Sequence, residues 1–144
     1  VELIDSHTHL DFADFDADRQ ALLAQSRALG VKRMVVLGVY QANWQRVWDL
    51  VQSDPDLHAA FGLHPVYLDQ HRPADLTELA DWLTRLAGHR QLCAVGEIGL
   101  DFFSQAWIAS ASRRCLKHSC NWPGTVGYRR CCTCAAVMRR SSPP

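Results

Sequence analysis

Residues 33–39 read RMVVLGV. A strand with one wet face alternates apolar and polar residues, whereas a strand covered on both faces does not. This nearly unbroken apolar run therefore predicts a parallel strand buried on both faces. Its flanks are helical. Upstream, Asp16 to Leu29 places Leu22, Leu23 and Leu29 along one side, and Gly30 follows at the position where glycine ends a helix. Downstream, Gln41 to Gln52 carries Trp44, Val47, Trp48 and Val51 at helical spacing, which reads as core rather than as a stacking platform. Further out, LHAAFGLHP (57–65) reads as a strand that stops at Pro65. Pro73 opens a third helix, striped by Leu76, Leu79, Ala80, Leu83 and Leu86 and ended by Gly88. LIDSHTHL (3–10) and LCAVGEIGLD (92–101) complete the set as a first, buried strand and a fourth. Strand–helix three times over, then a strand, predicts an α/β fold of parallel βαβ units.

Composition adds a division. The chain has 144 residues and a formal net charge of zero. Up to Phe103 there are eight basic and fifteen acidic residues, a net −7; from Ser104 onward there are seven basic residues and no acidic one, a net +7. Cys93 alone precedes that break, and Cys115, Cys120, Cys131, Cys132 and Cys134 follow it. No apolar run approaches the roughly 20 residues of a membrane span. The opening VELIDSHTHL has no basic segment followed by an apolar one, so the cytoplasm is the expected compartment.

The chemically capable residues gather at the carboxyl ends of the expected strands, where (β/α) barrels build their active sites. In a strand, side chains at i and i+2 point the same way, so His7 and His9 can aim two nitrogens at one point. Glu97 would add a carboxylate oxygen from another strand. Mixed imidazole and carboxylate ligation suits zinc, manganese or a similar divalent ion. Each residue also has a plainer reading. A His-x-His pair can be surface or packing, Glu97 can hold a loop, and His64 before Pro65 can cap the strand or bond a carbonyl. Asp101 can be a helix N-cap. His58, His71 and His89 read as solvated.

IDSHTHLD (4–11), GLHP (62–65) and GEIGLD (96–101), in this order and at this spacing, resemble the TatD family of metal-dependent hydrolases. The resemblance covers residues 1 to about 103. It implies the N-terminal half of a (β/α)8 TIM-type barrel. It also implies that His7, His9 and Glu97 are metal ligands, with Glu97 bridging two divalent ions (zinc, manganese or magnesium), and that His64 and Asp101 lie in or beside the pocket. The implied activity is deoxyribonuclease: metal-assisted phosphodiester hydrolysis with DNA or nucleotides as partner, no membrane and no obligate protein partner. Two ions suit that reaction because they can clamp the attacking and leaving oxygens.

Residues 104–144 depart from the family. The later βα units of the family bring two more histidine ligands and a late aspartate, and no acidic residue occurs here, so no catalytic aspartate is assigned. His118 does not end an apolar strand and takes no ligand role. CCTC (131–134) lacks paired C-x-x-C spacing, and a disulfide scaffold conflicts with a cytoplasmic first part. Read out of frame from about Trp107, the same codons can give a helix and then LPALLHVRRSH, an apolar strand ending in histidine. That resembles what the family places after GEIGLD. The expectation is a partial barrel over 1–103 and a frameshifted, disordered tail over 104–144 with no regular element. Two other functions stay open on the sequence. One is an amidohydrolase acting on C–N bonds. The other is a non-enzymatic binder whose basic, cysteine-rich tail contacts nucleic acid or zinc.

Overall fold

The computed structural model describes residues 1–99 and the backbone of 129–132. Asp101, His118 and most of the tail lie outside the described residues. Among the described residues, five strands form one sheet: β1 (Leu3–Thr8), β2 (Val31–Gly38), β3 (Leu57–Phe61), β4 (Leu92–Ile98) and β5 (Arg129–Cys132). Three helices join the first four: α1 (Arg19–Ala28), α2 (Trp44–Gln52) and α3 (Pro73–Arg85). The order in the sheet is β1-β2-β3-β4-β5, and every pairing is parallel. Strands that follow one another in the chain are neighbours in space, as in a (β/α) barrel. The sheet is a curled half-barrel, as the sequence predicts.

β2 and β3 pair in unbroken register from Met34–Leu57 to Gly38–Phe61. On the helix-facing side, Val36, Phe61 and Val95 pack against Leu23, Trp44, Val47, Val51, Leu79 and Leu83. On the other side, Leu37, Ala60 and Ala94 form a second cluster. The apolar run at 33–39 is thus buried on both faces, which a period-2 strand could not be. The helix ends follow their residues. Gly30 (φ +104) and Gly88 (φ +80) take up left-handed conformations that residues with a Cβ rarely adopt. Pro73 occupies the first position of α3, and the Asp75 carboxylate accepts the Arg72 backbone N–H at 2.9 Å.

Five expectations are corrected. β1 is not a buried strand: Leu3 is 49% and Ile4 65% exposed, because among the described residues β1 pairs on one side only. It also ends at Thr8. α1 begins at Arg19 rather than Asp16, with residues Ala13–Phe15 in a 3-10 turn, and its stripe is shorter than expected. Leu23 is buried, Leu22 is half-buried, and Leu29, which falls past the end of the helix, is 76% exposed. Finally, the tail contributes an element where none was expected. Arg129–Cys132 pairs with β4 through Ala94–Arg129 and Val95–Arg130, supplying partners for backbone groups on that side of β4.

Candidate metal centre

β1 delivers His7 near its carboxyl end, and His9 follows one residue past it. The Asp5 carboxylate accepts the His7 backbone N–H at 3.0 Å, a local bond that fixes the chain where the strand ends. β4 delivers Glu97, which is buried. In a flat sheet, β1 and β4 would stand about 14 Å apart, three spacings of about 4.8 Å. Here the ligand atoms of His7, His9 and Glu97 all lie within 4.8 Å of one another. The curl of the sheet carries them together.

The Nε2 atoms of His7 and His9 are each 3.6 Å from Glu97 Oε2. That is too long for a direct hydrogen bond. It is close to the roughly 3.4 Å that separates neighbouring donor atoms around a tetrahedral ion with bonds of about 2.1 Å. Two imidazole nitrogens and a carboxylate oxygen also form a donor set that zinc or manganese accepts. These residues fit a divalent ion.

His64 joins the same cluster. Its Nδ1 accepts the Val66 backbone N–H at 3.0 Å, at the start of the Pro65–Tyr67 3-10 turn. The ring proton therefore sits on Nε2, which lies 2.9 Å from Glu97 Oε1 and donates to it. One imidazole caps the turn with one nitrogen and holds Glu97 with the other. Glu97 thereby presents Oε1 to His64 and Oε2 to the His7–His9 pair. Gly62 makes the approach possible, since a Cβ there would lie 2.4 Å from the Glu97 carbonyl oxygen.

Two histidines read as solvated are not. His71 Nε2 bonds the His64 carbonyl at 2.8 Å, and burial pushes its pKa below the usual imidazole value. The His89 ring packs edge-on to Trp48 at 4.9 Å, and its Nδ1 accepts the Gln91 N–H. His58 is half-buried.

The loop after β1 is held by residues that the sequence reading passed over. Asp11 is buried and accepts Asn43 Nδ2 at 3.0 Å, while Asn43 Oδ1 accepts the N–H groups of Val39 and Tyr40. Burial raises the pKa of Asp11, opposed by the Asn43 bond. Arg46 donates to the Asp11 carbonyl and to Asp16, and Arg19 donates to the carbonyls of Leu10 and Phe12. The hydrogen bonds from Arg46 and Arg19 pull the Asp16 pKa down. The available signal for Asn43 was a polar residue at the start of an otherwise apolar helix face, the usual place of a cap.

The TatD related DNase profile matches residues 4–124. The chain belongs to the TatD related DNase family. It is 39% identical over 121 residues to the metal-dependent hydrolase YjjV of Escherichia coli K12, covering 79% of this chain and 46% of YjjV. It is 31% identical to the metal-dependent hydrolase YabD of Bacillus subtilis, covering 69% of this chain and 38% of YabD. It is 32% identical to the 3'-5' ssDNA/RNA exonuclease TatD of Pantoea vagans, covering 69% of this chain and 37% of that protein. The crystal structure of YjjV superposes with a TM-score of 0.75 at 34% identity, over 81% of this chain and 44% of YjjV. The chain therefore spans less than half the length of these TatD relatives. Among the described residues, no helix is long and apolar enough to cross a membrane.

Proposed function

We propose that the chain carries the amino-terminal part of a metal-dependent phosphodiesterase that cleaves DNA. The observation that carries this reading is the convergence of His7, His9 and Glu97 from two strands that are not neighbours. The name of the Pantoea vagans relative supports nucleic acid as the substrate. In this reading His7, His9 and Glu97 hold a divalent ion (zinc, manganese or magnesium), His64 orients Glu97, and Asp101 lies beside the pocket. A bound ion would polarise a phosphoryl oxygen and lower the pKa of its water. A second ion, and a residue to take the water proton, belong to parts of the family's barrel that residues 1–103 do not contain. Residues 104–144 are then translated out of frame, and the cytoplasm is the expected compartment.

The test begins with the gene. Resequencing through codons 100–110 is expected to find a missing or extra base, with the corrected frame running on through a histidine-ended strand. The frame-corrected protein is then assayed with zinc, manganese and magnesium on single-stranded DNA and on a cyclic amide. Release of nucleotides from DNA supports the reading. Turnover of the amide alone replaces it with the C–N hydrolase.

A further inference from the structure

We propose that a cavity beside the metal centre binds a nucleobase, the one attached to the phosphate held at the metal centre. This rests on the phosphodiesterase reading. The cavity has a volume of about 350 Å³ and lies between the loop after β1, the end of β2 and the turn after β3. That size falls at the lower end of the roughly 300–1,000 Å³ of small-molecule sites. Three of the side chains that line it are aromatic: Phe12, Tyr40 and Tyr67.

Those rings connect the cavity to the metal centre from two directions. Phe12 stacks on His9, with centroids 5.2 Å apart and planes 21° from parallel. Tyr67 stands 5.9 Å from the His64 ring. Tyr40 and Tyr67 meet edge-on at 5.2 Å, and all three aromatic residues are half-buried rather than spent in the core. A base seated here would lie one ring away from Glu97 and its histidines. Aromatic rings stack any base, because every base has a π-face.

Polarity agrees. Asp11 lines the cavity, and its Oδ1 is buried with no hydrogen-bond partner among the described residues. A carboxylate oxygen in that state calls for a donor. The exocyclic amines and ring N–H groups of nucleobases are donors, and sugar and phosphate oxygens do not supply an equivalent planar edge. Two other cavities among the described residues serve less well. One is lined by Asp16, Arg19 and Arg46, where both arginines already pair with Asp16, and the other is a groove between α2 and α3.

The test uses the 144-residue chain without added metal, by calorimetry and saturation-transfer NMR, with dCMP and with deoxyribose 5-phosphate as the baseless probe. Saturation is expected on the base protons, with dCMP binding about tenfold tighter than the baseless probe. Tyr40→Ala and Tyr67→Ala each remove most of that difference, and Tyr67→Phe keeps it. Zinc affinity, measured separately, stays the same in all variants and shows that the fold is intact. The proposal is overturned if the two probes bind equally or not at all, or if the difference survives both alanine variants. Its failure is separable from that of the phosphodiesterase reading. A frame-corrected enzyme that cleaves DNA while this chain ignores the base would keep that reading and lose the cavity.

Discussion

His64 shows how much one side chain can settle. The turn's backbone N–H decides which ring nitrogen carries the proton, and that proton decides which oxygen of Glu97 faces β1. Residues that orient ligands typically change metal affinity 10–100-fold when removed. His64→Ala is therefore expected to weaken zinc binding about tenfold by calorimetry, and His64→Gln, which keeps an N–H donor, to recover part of it. Equal losses in both would mean that the imidazole acts only by packing. His71 sits behind it, and burial depresses its pKa, so the folded protein binds that proton less readily than the unfolded chain does. The linkage sign follows. The cost is absent above about pH 6.5, the unfolded value, and grows as the pH falls below it. Urea midpoints should drop between pH 7 and 5, and His71→Phe should flatten that profile. The three proposed ligands and His64 were legible because their motifs are short and placed at strand ends. His71 was not, since nothing local in the sequence announces that its ring turns back onto the His64 carbonyl.

At the scale of elements, the strand and helix order was readable from apolar periodicity alone, while boundaries and edges were not. The 33–39 run and the α3 stripe are continuous signals of burial. β1 reads just as apolar at Leu3 and Ile4, yet its exposure depends on what lies beside it, which no window of sequence contains. β5 gave no signal because RRCC lacks strand character, and the edge of β4 is what recruits it. Asp101 and the proposed frame change lie beyond the described residues and are judged by the gene and the assay. Elements are also joined by a polar residue without a motif. Gln91 Nε2 donates to the carbonyls of Val51, Asp54 and Leu57, tying the end of α2 to the starts of β3 and β4. Gln91→Leu would leave these buried acceptors without their donor, at a cost of about 1–3 kcal/mol. Chemical denaturation should show that loss, with zinc affinity unchanged because the ligands lie at the other end of the sheet.

At the scale of the whole molecule, β1 has one partner among the described residues, and Val1, Leu3 and Ile4 are exposed beside it. An unpaired edge flanked by apolar residues invites another strand. The 144-residue chain is expected to associate with rising concentration in sedimentation velocity runs, and Ile4→Lys to suppress this. A concentration-independent monomer would show that the edge is protected in solution.

The curl that brings β1 and β4 together has one more consequence. Three strand spacings are bridged by a cluster only a few ångströms wide, so an ion bound there fastens the two ends of an arc. Anything that binds only the folded form raises its stability by mass action, and here the gain depends on how closely the arc already bends. The affinity of an ion held there would thus act as a strain gauge for sheet curvature. Gly38 offers the check, because a Cβ there would press on Phe61 and Trp44 at 2.7 and 2.8 Å, on neither ligand strand. Gly38→Ala should loosen zinc without touching a ligand, and the size of that loss would report how far the half-barrel has opened.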